Sequence, residues 1–381
     1  MSIQRQQLFL AVIALAASPL ARAEVDLGTL AGSKVGFEGL VQYDSNWFDN
    51  DLADLDGNVN GDDQRDDLRR VELVLKGKGP GDLDWVVGYD AKGDKFLDVN
   101  LRLRMGEEGR HFLQLGQFKQ PNSLEELSST RTNDFISKAT ATNTFAIARR
   151  LGVGYGYGGE DWTLSGSWFG RELTSGLASG AGYGMRGTWA PIQGDGRLLH
   201  LGLAHVDHDT DADTLRLRAR PNADLARVRL VDSGRLVDTD RVATSSAEAL
   251  WASGPLKLQG EYYLSRVSRY SPGTADYAAH GSYVSGLWNL TGETWGYKAG
   301  VVTTPKPSRR GGMWQAGLRY DRLDLDNGQV GGGTQEAWTA GLNWYYGSHF
   351  KLMLNHVRID SQRRGVSDDP SIWEARGQVS W

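Results

Sequence analysis

The sequence predicts an all-β fold: a transmembrane antiparallel β-barrel of about sixteen strands, with long loops folded inward. Three observations predict it. From residue 34 onward the chain alternates apolar and polar residues with period two, the pattern of a strand with one greasy and one polar face. Short and long connections alternate between these runs, as in membrane barrels with short turns at one rim and longer loops at the other. The apolar faces are capped near the strand ends by Trp and Tyr, of which the chain holds 13 and 14; aromatic girdles at lipid–water interfaces place such rings there. A soluble sandwich also alternates, with its greasy face inward, but it accounts for neither the girdle nor the rhythm of the connections.

The first 23 residues read as a signal peptide. Arg5 supplies a positive start, Leu8–Ala17 an apolar run and Ala21-Arg22-Ala23 a small-x-small cleavage site, which leaves residues 24–381 as one barrel domain. The run is too short for a membrane anchor, and no later stretch approaches the ~18 apolar residues of a spanning helix. Insertion therefore falls to strands, which must close so that every backbone group is paired.

Residues 34–48 read as the first strand, followed by an acidic loop over 49–66. In 67–79, Val71, Leu73 and Leu75 oppose Arg70, Glu72 and Lys76. In 95–106, Leu97, Val99, Leu101, Leu103 and Met105 oppose Asp98, Asn100, Arg102 and Arg104. Residues 150–157 set Gly or Arg against Leu151, Val153, Tyr155 and Tyr157, and in 161–169 Trp162, Leu164 and Trp168 oppose Thr163, Ser165 and Ser167. The same alternation runs through 256–265, 314–321 and the last ten residues. Brief turns fall at Gly77–Asp82, Gly106–Gly109, Gly158–Asp161, Ser253–Pro255 and Gly347–His349. Long segments fall near 49–66, 119–148, 208–243, 268–277, 325–334 and 361–371. Segment 291–310 breaks the rhythm: parity makes it a short turn, yet it is long, which implies a miscounted strand.

Composition bounds the chemistry. The net charge of -5 argues against nucleic acid as the main partner, and zero Cys leaves stability to the sheet. Of the 42 basic residues 31 are Arg, whose planar fork suits oxyanions better than a Lys point charge. Residues 117–150 alternate poorly and carry Lys119, Arg131, Lys138, Arg149 and Arg150 among Ser128, Ser129, Thr130 and Thr132. Connections this long are usually functional, and this one reads as a loop folded into the barrel mouth, lining it with cations.

Rings of Arg or Lys replace the water an anion loses in a pore. Arg70, Arg102, Arg104, Arg131, Arg149, Arg150, Arg216, Arg218, Arg220, Arg227 and Arg229 are the candidates for such a staircase. Asp98 shares a face with Arg102 and Arg104 and is expected to orient them. The bland alternative for any one Arg is a polar-face residue paired with a neighbouring acid.

Several of these motifs resemble the phosphate-selective porin O/P family of Gram-negative outer membranes. They are Leu68-Arg69-Arg70, QFKQPNSLEEL with the later ARRLGVG, LKLQGEYY at 256–263, the run at 314–332 and AGLNWYYGSHFKLMLNHV at 340–357. The resemblance implies a sixteen-stranded barrel in the outer membrane, assembled as a trimer. It also implies third and fifth loops in the channel and an arginine ladder leading phosphate or related small anions to a constriction. Matched motif by motif, it makes Arg69, Arg70, Asp98, Ser128, Ser129, Arg131, Arg216, Arg218 and Arg220 channel residues. The chain departs from phosphate-binding members at Leu40, where they carry Arg. Strict period two also puts Arg69 on the lipid side if Arg70 faces the lumen, unless a bulge intervenes.

The leading functional expectation is a water-filled, anion-preferring outer-membrane channel without a cofactor. A non-selective diffusion porin is the alternative within channels; a plugged adhesive barrel and an outer-membrane enzyme stand outside them. With 7 His and no G-x-S-x-G context, no nucleophile and base are apparent. Asp56, Asn58, Asn60, Gly61, Asp62, Gln64 and Asp67 fit the spacing of a calcium loop, but Asp stands where a bidentate Glu is usual, and a solvated acidic loop is the simpler reading. His205, Asp207, His208 and Asp209 are a weaker divalent-metal candidate.

Overall fold

The computed structural model describes residues 25–381 except 58–60, 62, 175 and 177; the expected signal peptide lies outside the described residues. The period-two alternation forms sixteen long strands. They are β1 (Ser33–Asp49), β2 (Gln64–Lys78), β3 (Leu83–Asp90), β4 (Lys95–Met105), β5 (His111–Lys119), β6 (Arg149–Gly158), β7 (Trp162–Phe169) and β8 (Gly182–Gly194). Then come β9 (Arg197–Asp209), β10 (Thr239–Ser253), β11 (Leu256–Arg269), β12 (Tyr277–Asn289), β13 (Met313–Asn327), β14 (Val330–Tyr346), β15 (Phe350–Arg363) and β16 (Ser371–Ser380). Each pairs antiparallel with its sequence neighbours, and β1 pairs β16 from Leu40↔Ser380 to Asp49↔Ser371. The sheet thus closes into a barrel without a free edge, the condition for strands in hydrocarbon.

The faces are inverted relative to a soluble protein. Along β11, Lys257, Gln259, Glu261 and Tyr263 are buried inside, while Leu256, Leu258 and Tyr262 are 44–52% exposed outside. Outward Trp residues form two belts. Trp162, Trp189, Trp251, Trp288 and Trp314 lie toward the short-turn rim, and Trp47, Trp168, Trp338 and Trp373 toward the long-loop rim. Such girdles bound the apolar band, about 25 Å tall, of a membrane barrel.

Two bulges adjust the expected facing. Gln42 pairs with Arg70 but Tyr43 pairs with Leu68, so Arg69 is the extra residue; it reaches inward while Arg70 keeps lumen parity. The β3–β4 register slips between Val87 and Tyr89. Leu97, expected on the lipid side, is therefore only 3% exposed and lines the lumen beside Asp98.

Segment 291–310 is not a miscounted strand. Between β12 and β13 the chain makes a hairpin, Gly296–Lys298 with Val301–Thr303, that turns up into the barrel from the short-turn rim. Apolar packing drives this. Trp295 joins Leu124, Phe135, Leu198, Leu250 and Leu287 in a buried cluster, and the Lys257 ammonium sits 4.2 Å from its ring centre. Arg186 donates to the Gly300 carbonyl at 2.8 Å, and the Tyr297 hydroxyl meets His200 Nδ1 at 2.7 Å. Gly300 has φ +79°, and a Cβ there would meet Thr163, Arg186 and Thr188 at 3.0–3.2 Å, so glycine lets the hairpin tip seat against the wall.

The closure seam carries a first prediction. Gly39 and Trp381 exchange backbone hydrogen bonds at 3.0 and 3.1 Å, and a Cβ at Gly39 would fall inside the Trp381 indole. Gly39→Ala is expected to cost about 1–3 kcal/mol through overpacking, read as a lower unfolding midpoint in detergent. An unchanged midpoint would show that the indole swings away freely.

Candidate functional site

The third long-rim connection, loop 3 (residues 120–148), crosses the barrel interior. It holds α1 (Leu124–Leu127), a 3-10 turn (Thr130–Thr132) and α2 (Thr140–Phe145). The Ser123 hydroxyl caps α1 by accepting from the Glu126 N–H at 3.0 Å, satisfying a donor the helix start leaves free. The Glu261 carboxylate of β11 accepts the Leu124 and Glu125 N–H groups at 2.9 and 2.8 Å.

Beyond α1, inward charges of the wall hold the loop. Lys257 pairs with Asp134 at 2.6 Å. Arg319 donates to the Ser137 carbonyl and pairs with Asp321, which in turn accepts the Thr140 N–H at 2.6 Å. Arg376 clasps Asp44 through two 2.6 Å hydrogen bonds and donates to the Ile136 carbonyl at 2.9 Å. Lys351 donates to the Asn133 carbonyl at 2.5 Å. The sequence reading did not single out these wall cations, although Lys257, Arg319 and Arg376 all stand on the polar parity of their strands.

On the opposite side loop 3 borders a larger opening. A cavity of about 370 Å³ runs between Ser128, Ser129, Thr130 and Arg131 of the loop and the wall from β1 to β6. Its charges are interleaved. Glu38 sits 2.5 Å from Lys76 and 3.3 Å from Arg131. Asp98 pairs with Arg149 at 2.7 Å, and Glu72 with Arg70 at 3.3 Å. Lys119 and Lys138 both pair with Glu126. This constriction therefore bears both signs, and its hydroxyls face its charged wall.

The fifth connection, loop 5 (residues 210–238), also folds inward. Asn222 bonds Asp321 at 2.9 Å, Gln335 reaches the Arg220 carbonyl at 3.2 Å, and Arg69 pairs with Asp224 at 2.8 Å. Leu217, Ala219 and Val231 pack with Phe145, Tyr263 and Leu323, while Ala223, Ala226 and Leu230 pack with Phe48, Val357 and Ile372. Arg218, Arg220, Arg227 and Arg229 have no carboxylate partner among the described residues. Burial and then the neighbouring Arg220 and Arg218 push Arg229 down to about 10, outweighing the pull of Asp232. Mutual repulsion among guanidiniums marks a place where an anion is electrostatically welcome.

The expected staircase thus divides. Arg131 and Arg149 line the constriction with Asp98, Ser128 and Ser129, and Arg69 and Arg70 lie above it. Arg150 is tied to Glu172 at 3.2 Å. Asp98 does not orient Arg102 and Arg104: Arg102 bonds Gln114 at 2.7 Å and lies 4.4 Å over the Phe112 ring, while Arg104 pairs with Asp84 at 3.2 Å. Both stand nearer the short-turn rim, because two residues per pleat carry them down the strand from Asp98. Arg216 is half-exposed and occupied by Asp232 within its own loop.

The calcium-loop candidate falls largely outside the described residues, and the His205 candidate gathers no ligand set among them. Asn58, Asn60 and Asp62 lie outside the described residues, and Asp67 is held by Lys92 at 2.9 Å. Among the described residues no group of three acids or imidazoles is arranged for a metal ion. His205 bonds Ser245 at 2.9 Å and His208 the Asp209 carbonyl at 2.7 Å; adjacent strand residues point to opposite faces.

Asp224 yields a pH prediction. Burial raises its pKa, but the Arg69 guanidinium, seconded by Arg376 and Arg70, overrides this and holds it well below the usual carboxylate range. A depressed acid stabilises the native state above its unfolded pKa and loses that contribution as pH falls through the folded value. Loop 5 should therefore stay moored from neutrality to about pH 4 and loosen progressively below it. Single-channel closures should become more frequent between pH 4 and pH 2, and Asp224→Asn should show them already at pH 7.

Comparison with known proteins gives a consistent picture. The family model described as phosphate-selective porin O and P matches residues 41–381. A Caulobacter vibrioides protein known only as uncharacterized is 31% identical over 322 residues, 78% of this chain and 63% of its own length. Porin O of Pseudomonas aeruginosa is 25% identical over 210 residues, 48% of each chain. The chain thus spans less than two thirds of either relative.

Among solved structures, the outer membrane channel DcaP of Acinetobacter baumannii superposes with TM-score 0.60 at 12% identity, covering 94% of this chain and 100% of that one. The anion-selective porin from Comamonas acidovorans does so with TM-score 0.58 at 14% identity, covering 92% and 100%. At such identities the likeness is one of fold.

Proposed function

Because the chain belongs to the phosphate-selective porin O and P family of the Gram-negative outer membrane, we propose that it is a water-filled channel preferring phosphate or related small anions. Loop 5 gathers the anion at the extracellular mouth and loop 3 sieves it. The observation that carries this is the division of the arginines. Those of the constriction are matched by acids, whereas Arg218, Arg220, Arg227 and Arg229 of the mouth have no carboxylate partner among the described residues. Charge-assisted, bidentate hydrogen bonds favour phosphate or carboxylate there, and the balanced constriction below keeps binding weak enough for exit. Assembly as a trimer is part of the proposal.

Glu38, Glu72 and Asp98 in the constriction favour a second reading: a diffusion pore with little preference. Reversal potential in a planar bilayer under a potassium chloride gradient separates the two. The proposal expects an anion-selective potential and partial block of chloride current by millimolar phosphate. A potential near zero with no block would establish the diffusion pore.

A further inference from the structure

The outer wall bears a feature that the ion path does not use. Between β7 and β12 the lipid-facing surface is concave, a groove of about 1060 Å³. Its floor is built from side chains too small to fill it: Ala247 and Ala249 of β10 and Gly260 of β11. Leu201 and Leu203 rise on one side, and Leu258, Tyr262 and Val284 on the other, 40–69% exposed. Trp251 closes it toward the periplasmic girdle.

The groove's lining ends at Leu203, Ala247 and Tyr262, and the register continues its row of small residues beyond it toward the long-loop rim. Ala247 lies between Leu203 and Tyr262, Ser245 between His205 and Leu264, and Ala243 between Asp207 and Arg266. The stretch from Ala249 to Ala243 is about 20 Å along the strand, and the ordinary tilt of a barrel strand reduces this to about one leaflet. The small-residue row therefore ends at the level of the extracellular headgroups.

Arg266 stands at that end. It is exposed, outward-facing, and has no acid partner among the described residues. The nearby acids are occupied: Asp207 binds Arg241, and Asp324 faces His280 at 4.0 Å. Ser245 and His205 add a hydroxyl and an imidazole, bonded to each other at 2.9 Å. An apolar trough, continued by small residues over one leaflet and capped by an uncommitted guanidinium, complements an acyl chain below a phosphate.

We propose that this groove is a binding site for a phosphorylated lipid of the outer leaflet. One acyl chain lies over Ala247, Ala249 and Gly260, and Arg266, with Ser245, holds the phosphate. The site is independent of ion preference, so its failure and the failure of the anion-channel reading are separate results.

The test is native mass spectrometry of the full chain in a neutral detergent with dipalmitoyl phosphatidic acid, dipalmitoylglycerol or inorganic phosphate added. The phosphatidic acid should be retained in preference to either fragment. Arg266→Gln should weaken retention about fivefold, since a basic residue near a lipid phosphate contributes ~1 kcal/mol. Ala249→Trp, which fills the trough, should abolish retention. Wild-type conductance in planar bilayers certifies each variant as folded, and the surface change Arg266→Gln stands as the test by itself if the Trp variant does not insert. Retention unaffected by Arg266→Gln overturns the site. Dissociation of an oligomer by Ala249→Trp, with lipid retention intact, assigns the groove to a second copy of the chain instead.

Discussion

Replacing Arg218, Arg220 and Arg229 together by Gln should lower the anion-to-cation permeability ratio by on the order of tenfold, and the reversal potential should move toward the cation side. The reasoning is electrostatic. In water-filled surroundings a unit charge at contact distance is worth about 1 kcal/mol, roughly a fivefold bias for each guanidinium that an anion meets. These three have no carboxylate partner among the described residues, and Arg229 is already repelled by the other two. Their loss removes positive potential that Asp224 and Asp232, the neighbouring acids, offset only in part.

Arg149→Gln should do less, because it removes one charge where the triple variant removes three; it shifts the constriction in the same direction, since Asp98, its partner at 2.7 Å, is left uncompensated. The difference should shrink as salt rises from about 0.1 M to 1 M and the screening length falls from about 10 to 3 Å. An unchanged reversal potential in the triple variant would remove the mouth from the selectivity argument and leave the diffusion pore standing.

Arg376→Leu should be among the most destabilising single changes in the chain. Arg376 and Asp44 are about 2% and 1% exposed and share two 2.6 Å hydrogen bonds across the β1–β16 seam. Removing one member of a buried pair leaves the other charge uncompensated, at about 3–5 kcal/mol. Arg376→Leu with Asp44→Leu removes both charges and should recover most of that loss, because well-packed apolar residues often replace a buried pair without cost.

Both variants lose the donor to the Ile136 carbonyl, so both should show noisier channels from a looser loop 3. Unfolding midpoints in detergent separate the effects. If the double variant is as unstable as the single one, the seam depends on the ion pair itself rather than on avoiding a lone charge.

Much of the barrel was legible because a closed sheet in hydrocarbon constrains every second residue. Leu256, Leu258 and Tyr262 against Lys257, Gln259 and Glu261 can be read without any knowledge of strand order. The bulge at Arg69 was legible as a conflict: two consecutive arginines cannot both face water in an unbroken pleat. Leu97 was misplaced because the slip between Val87 and Tyr89 leaves no mark in the composition of β4. Segment 291–310 was misread because its inward course depends on Trp295 finding Leu124 and Leu287, partners brought together only by closure.

Away from the two register irregularities, residue order alone determined which side chains face lipid and which face the lumen, and that loop 5 would be rich in arginine. Only the tertiary structure decided which arginines are occupied. A guanidinium is neutralised by whichever carboxylate folding brings within about 4 Å, and Glu38 near Arg131, Asp224 near Arg69 and Asp44 near Arg376 come from strands and loops far apart in the chain. Alternation is a local property of the backbone, whereas the sign and strength of the field along the pore are a sum over partners that only the closed barrel assembles.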